Sequence, residues 1–319
     1  MTPAPRMTVR KLACFGLTTT NADRLAAFYE RAFGFRRLAV GRLSGANFEK
    51  LMDVEGGATC IMLGLGQEVV ELLEFDVPGE PYPKNRTSSD LTFQHLAIVV
   101  TNIAQAFQRL STVGGWSAIS RDGPQRLPES SGGVTAFKFR DPDGHPLELL
   151  AFPDGKAPAR WKACSSSDIC LGIDHSAICV SESDRSITFF ESFGLRVSAR
   201  SLNQGPEQER LDAVRNPSVE VTALSPNQQT PHIELLCYRS VVRGNGTVLR
   251  NNDIAATRLV LVTDRQPLAD AGGELRQSVL DPDGHHLVIV SPGAAEWLSG
   301  VDPTNPATFD QVHQNGARM

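Results

Sequence analysis

Apolar and β-branched residues fall in short blocks along this chain, and four of the blocks resemble one another. They are LACFGLTTTN at 12–21, FQHLAIVVTN at 93–102, IDHSAICVSE at 173–182 and ATRLVLVTDR at 256–265. Each has the character of a strand and ends in polar turn residues. Behind the first three the period changes to that of a helix. In DRLAAFYERAFGF (23–35), Leu25, Phe28, Tyr29 and Ala32 fall on one face and Gly34 ends the run. IAQAFQRLSTVGG (103–115) and SDRSITFFESFGL (183–195) repeat the pattern and stop at Gly114 and Gly194, whereas the fourth copy, QPLADAG (266–272), is cut short. Each module closes on another strand-like run: VVELLEF (69–75), PLELLAF (146–152), HIELLCY (232–238) and HLVIVSP (286–292). The second and fourth reach it through the same DPDG turn, at 141–144 and 281–284, whose Asp and Gly favour a tight hairpin.

Aligning the opening strands superimposes Cys14, His95, His175 and Arg258, at separations of 81, 80 and 83 residues. So regular a spacing marks a fourfold internal repeat. The spacing predicts an α+β chain of four βαβββ modules, at 9–76, 93–152, 172–238 and 256–292, the last degenerate. A linker at 153–171 suggests two domains, 9–152 and 172–298, followed by a polar tail at 299–319.

Composition narrows the function classes. Lys+Arg 31 against Asp+Glu 36 gives a net charge of −5 with no basic cluster, which argues against nucleic acid and anionic membranes as partners. No apolar stretch reaches the roughly 18–20 residues of a membrane-spanning helix, and the start, MTPAPRMTVR, lacks the apolar core of a signal peptide. The six cysteines form no CxxC and read as reduced, buried thiols of a cytoplasmic protein.

A second recurring position lies in the closing strands and holds Glu71, Glu148, Glu234 and Val288. Glu148 and Glu234 sit among strand-like apolar residues, where an ionised carboxylate is costly unless paired or metal-bound. His95 and Glu148 are 53 residues apart, and His175 and Glu234 are 59 apart. Two such matched pairs favour metal ligation, whereas a lone strand histidine is usually structural. His145, after a turn, reads as structural, as do His285 and His286, the last two alternatively solvent-facing. His232 would share a face with Glu234.

The opening-strand histidine, the FYERAFGF helix end, the DPDG turn running into HPLEL and the fourfold period together resemble the vicinal oxygen chelate superfamily. That superfamily includes glyoxalase I, bleomycin-resistance proteins and extradiol dioxygenases. The resemblance covers nearly the whole chain. It implies modules paired into two cup-shaped mixed sheets, with a divalent metal held inside a cup by opening-strand and closing-strand residues. Carried over, the ligands are His95, Glu148, His175 and Glu234, with Cys14 and Glu71 as poorer candidates. If modules pair one with two and three with four, neither cup holds a full set. If two pairs with three and one with four, all four ligands meet and the other cup, with Cys14, Glu71, Arg258 and Val288, is degenerate; this is the simpler account. In that degenerate cup Arg258 is expected to salt-bridge Glu71.

The implied function is a metal-dependent isomerase or lyase of the glyoxalase type. It would chelate neighbouring oxygens of a small substrate and stabilise an enolate or enediolate, with Glu148 or Glu234 as base. Ni, Co, Mn, Fe and Zn all accept this donor set. Glu148 is followed by LLAFP and Glu234 by LLCYR, which departs from the glutathione-binding pattern of glyoxalase I. A ring-cleaving Fe(II) dioxygenase and a metal-free ligand-binding or resistance protein are the alternatives. One chain supplies both halves of a cup, so a monomer or homodimer suffices.

Overall fold

The computed structural model describes residues 7–162, 168–228, 231–239, 248–264 and 276–292. The shortened helix expected at 266–272, the tail from 299 and Cys164 lie outside the described residues. Module one runs β1 (Val9–Thr18), α1 (Ala22–Phe33), β2 (Arg36–Leu43), α2 (Ala46–Met52), β3 (Ala58–Leu65) and β4 (Glu68–Phe75). Module two runs β5 (Gln94–Val100), α3 (Ile103–Val113), β6 (Ser117–Ala118), β7 (Gln125–Arg126), β8 (Thr135–Arg140) and β9 (Pro146–Ala151). A short helix, α4 (Ala159–Lys162), lies in the linker. Module three runs β10 (Cys170–Cys179), α5 (Ser183–Ser192), β11 (Arg196–Gln204), α6 (Pro206–Asp212), β12 (Ser218–Ser225) and β13 (His232–Tyr238). Module four is described as β14 (Arg258–Thr263), β15 (Arg276–Leu280) and β16 (His286–Val290).

The helices follow the sequence signals. Asn21 caps α1 by accepting from the Arg24 N–H, and Gly34 ends it with φ 82°, a left-handed conformation that a side chain would strain. Leu25, Phe28, Tyr29 and Ala32 are all buried on one face.

Sheet membership settles how the modules pair. One sheet has the order β15-β16-β14-β1-β4-β3-β2 and joins modules one and four. The other, β11-β12-β13-β10-β5-β9-β8-β6, joins modules two and three. The opening strands form both seams, β1 with β14 and β5 with β10, antiparallel in each case. The sheets therefore cut across the division of the chain at 153–171, since each half contributes one module to each sheet.

Strand alternation separates two faces. Leu147 and Leu149 of β9, Ile98 of β5 and Leu72 of β4 enter one continuous core that also takes in Phe28 of α1, Leu110 of α3 and Phe190 of α5. Glu148 and Glu71 sit between those positions in sequence and face the opposite way, into the cups.

The DPDG turns also lock one sheet to the other. Asp141 Oδ1 accepts from the backbone N–H groups of Asp143, Gly144 and His145 at 2.8–2.9 Å, which shapes the turn. Asp143 then binds Thr19, Thr20 and Arg24 at the β1–α1 junction of the other sheet. The fourth module does the same in reverse: Asp283 accepts from the Ser181 N–H at 2.9 Å and pairs with Arg185 at 2.5 Å. His145 is structural, as its sequence position suggests. It lies between Asp141 Oδ2 at 2.8 Å and the Thr18 carbonyl at 3.0 Å, two acceptors that together call for a doubly protonated ring. His285 and His286 are buried, which corrects the alternative that they face solvent. Closure of the loop around 248–257 covers His286, whose Nε2 donates to the Leu249 carbonyl at 3.0 Å.

Candidate metal centre

Register explains how four residues from four strands come to line one region of the cup. His95 of β5 lies opposite Ala177 of β10, and His175 of β10 lies opposite Ala97 of β5. Glu148 of β9 is level with Ala97, and Glu234 of β13 is level with Ala177. Two rows therefore cross the sheet, Glu148–Ala97–His175 and His95–Ala177–Glu234, each with an alanine at its centre. The alanine methyl groups leave a gap over which the longer side chains lean.

The donors converge in that gap. Glu148 Oε2 lies 2.9 Å from His95 Nε2 and 3.7 Å from His175 Nε2, and Glu234 Oε2 lies 3.5 Å from His175 Nε2. Two ligands at about 2.1 Å from one ion and at right angles are about 3 Å apart, so small adjustments suffice for a shared cation. His95, Glu148 and His175 each offer an atom within 4.8 Å of the others and are buried.

Asp174 aims His175. Its Oδ2 accepts from His175 Nδ1 at 3.1 Å, which leaves Nε2 free for the site, the carboxylate–histidine arrangement common around metals. Asp174 Oδ1 in turn accepts from Trp161 Nε1 at 2.7 Å, so the linker helix α4 takes part in the site. His232 stands beside this cluster, with its ring 5.2 Å from that of His175 and Nε2 3.4 Å from Glu234 Oε1.

Charge in the cup is unbalanced. Burial pushes the Glu148 carboxyl up, but the His175 and His95 rings beside it and the field of Lys138 overcome it and hold the group well below the carboxylate range. Burial opposes ionisation of Asp174 too, yet His175 brings it down to about 2. For His175 the burial penalty is outweighed by Glu234, Asp174 and Glu148, which raise it well above the usual imidazole value. His95, pulled down by burial and by Lys138, remains the more neutral ring. Four carboxylates (Glu148, Asp174, Asp212 and Glu234) line the cavity against one lysine, Lys138. A divalent cation would supply the positive charge this wall lacks, and His95, Glu148 and His175 form a group that could hold one.

The second cup is furnished differently. Gly16 takes the place of Ala97, level with Glu71 on one side and Arg258 on the other. Arg258 is fully buried over it, and a Cβ at Gly16 would lie 3.0 Å from Arg258 Nε. The expected Arg258–Glu71 salt bridge is corrected. Arg258 Nη1 donates to Thr18 Oγ1 at 2.9 Å and to the carbonyls of Asn251 and Ala256 at 2.7 and 3.1 Å. Glu71 instead accepts from Cys60 Sγ at 3.6 Å, and burial raises its carboxyl against the fields of Arg258 and Arg276. Cys14 packs with Val260, Val288 and Val290 as an apolar residue. The described cysteines, Cys14, Cys60, Cys170, Cys179 and Cys237, are buried.

Sequence reasoning named His95, Glu148, His175 and Glu234 as candidate ligands, and the structure brings the first three within reach of one another; it did not name Asp174, Trp161, Lys138 or Asp212. Asp174 had a visible signal, an acid directly before a candidate ligand in IDHSA, matched by Gln94 before His95. Trp161 and Asp212 had none, because each reaches the cup through a segment outside the repeated strands.

Residues 11–149 match the model of the Glyoxalase/Bleomycin resistance protein/Dioxygenase superfamily. Glyoxalase I from Zea mays is similar in fold, with a TM-score of 0.56 at 17% identity over 89% of this chain and 93% of that one. A mutant form of the same maize enzyme superposes with a TM-score of 0.57 at 17% identity and the same coverage. No curated protein matches the chain in sequence. No helix among the described residues is long and apolar enough to cross a membrane. Residues 11–149 therefore carry the sequence pattern of the glyoxalase/bleomycin resistance protein/dioxygenase superfamily, and the two sheets together have the fold of glyoxalase I.

Proposed function

We propose that this chain is a divalent-metal-dependent enzyme of the glyoxalase type, an isomerase or lyase acting on a small substrate through two neighbouring oxygens. The observation that carries the proposal is the convergence of His95, Glu148, His175 and Glu234 in a cup whose carboxylates outnumber its cations. When bound there, a divalent cation supplies Lewis acidity against the negative charge that builds on substrate oxygens as a C–H proton leaves.

The protein's own residues divide the remaining work. Glu148 is held by both histidines and is the anchored carboxylate. Glu234 is more exposed, with 22% of its side chain accessible against 7% for Glu148, and its shortest contact, 3.4 Å to His232, is longer than the 2.9 Å between Glu148 and His95. Glu234 Oε2 is therefore the better proton acceptor, because it can leave its neighbours at least cost, and His232 steadies its other oxygen. Asp174 keeps His175 in the tautomer that presents Nε2. Leu127, Leu150, Leu211 and Leu236 line the cup with apolar surface and exclude water from the reacting end. The cavity is about 160 Å³, well below the roughly 300–1,000 Å³ of sites for drug-sized ligands, which supports a small substrate over a glutathione adduct. The buried cysteines among the described residues suit a cytoplasmic location, and one chain completes the cup without a second copy.

Metal analysis of protein purified without chelator tests the proposal. About one divalent ion per chain is expected, lost in a His95→Ala/His175→Ala double variant and kept in Glu71→Gln. No stoichiometric metal under any loading condition would refute it. One observation favours a second reading: His95, His175 and Glu148 form the tighter group, and two histidines with one carboxylate suit a non-haem Fe(II) oxygenase. Oxygen uptake with catechols by Fe(II)-loaded protein would select that alternative.

A further inference from the structure

The cup has a second polar pole, on the side of α6. Gln208 and Asp212 stand one turn apart on that helix and both line the cavity. The Asp212 carboxylate is fully engaged: Oδ1 accepts from Lys138 Nζ at 2.7 Å, and Oδ2 accepts from Gln208 Nε2 at 2.6 Å and from the Tyr238 hydroxyl at 2.7 Å. A carboxylate only accepts, so the Gln208 amide must turn its NH2 toward Asp212, which fixes Oε1 as an acceptor pointing elsewhere. Gln208 is 4% exposed, and Oε1 has no hydrogen-bond partner among the described residues. Away from the metal-ligand pole, it is the one buried polar side-chain atom of the cavity wall in that state among the described residues. Ser88 and Ser120 hold the end of the helix in place, donating to the carbonyls of Asp212 and Leu211 at 2.8 and 2.9 Å. Gln208 is therefore carried on a fixed support, and a buried carbonyl left without a donor is unfavourable.

We infer that Gln208 Oε1 is a specificity-determining acceptor for a hydroxyl group of the substrate, placed across the cup from the two chelating oxygens. The substrate class follows: a small molecule with vicinal oxygens at one end, a short apolar body against the leucine walls, and a hydroxyl donor at the other end. A site built to pair a hydroxyl discriminates strongly against the analogue without it, because its own polar atom is then stranded. The inference rests on the reading of the cup as a chelating metal site.

Hydroxypyranone chelators test it on the metal-loaded full chain. Allomaltol chelates through neighbouring oxygens and carries a methyl group; kojic acid carries a hydroxymethyl group at that position, and isomers place the hydroxymethyl at each other free ring carbon. By calorimetry, at least one hydroxymethyl isomer is expected to bind about tenfold more tightly than its methyl counterpart. Gln208→Met should erase that preference while the methyl compounds bind as before, and Gln208→Leu serves if the first variant folds poorly. Equal binding of every hydroxymethyl–methyl pair would overturn the inference and leave the metal reading intact, the expected pattern if Oε1 binds only water. Preference retained in both variants would overturn it as well. If the methyl compounds bind no better with metal than without, both the metal reading and the inference fall.

Discussion

Ala97→Leu tests the geometry of the site most directly, because Ala97 is not a ligand. Ala97 is fully buried at the centre of the row that runs from Glu148 to His175. Neighbouring strands are about 4.8 Å apart, so the backbones of β9 and β10 flank Ala97 across about 10 Å. The two side chains close that distance by leaning over the alanine methyl until Oε2 and Nε2 are 3.7 Å apart. A leucine sends three further carbons into the gap. The metal-free protein has a cavity to receive part of this bulk, so overpacking should cost no more than about 1–3 kcal/mol. The metal-bound state should be lost altogether. A ligand held at 100 times its dissociation constant stabilises a protein by about 2.7 kcal/mol, which for a chain of this size is a rise of about 5 °C in melting temperature. Thermal melts with and without each divalent ion measure that rise, and elemental analysis gives the metal content. Wild type should show the rise and the variant should not. Ala177→Leu should behave alike in the second row, and Cys14→Ala in the degenerate cup should leave the rise intact. An Ala97→Leu protein that keeps one ion per chain and the full stabilisation would show that the donors do not meet above Ala97.

Asp174→Asn should weaken metal binding by about 10- to 100-fold without removing a ligand, read by competition with a chromogenic chelator. Asp143→Ala removes the contacts to Thr19, Thr20 and Arg24 that clasp the two sheets, and should lower stability by about 1–3 kcal/mol in urea unfolding. His286 is held down to about 4, by burial and then by Arg258, against 6.5 when unfolded. Its neutral folded form thus contributes stability that is complete above pH 6.5 and declines as pH falls toward 4. The loss is up to about 3 kcal/mol, and His286→Gln should flatten this part of the stability–pH curve. An unchanged acid limb in that variant would assign the decline to other groups.

The four-module organisation, the strand and helix periods, and the four candidate donors were legible in the sequence because each depends on local regularities. Strand alternation places Glu148 between Leu147 and Leu149, and the repeat places His95 and His175 at equivalent positions, whatever the modules later do. Pairing was favoured in the sequence only by economy, because both pairings use the same opening strands. Hydrogen bonding of β5 with β10 and of β1 with β14 decides it, and with it whether the four donors meet. The consequence of replacing an alanine by Gly16 was hidden, since it depends on the residue across the seam, where Arg258 fills the space. Asp174 was visible as a neighbour in sequence, but its role required Trp161 from the linker and the orientation of the His175 ring. What the sequence determined by itself was therefore the repeating unit and the identity of the candidate donors. The tertiary structure decided which modules share a sheet, which cup keeps its charge imbalance and which is filled by a guanidinium, because those outcomes depend on contacts between residues 80 or more positions apart, such as His95 and His175.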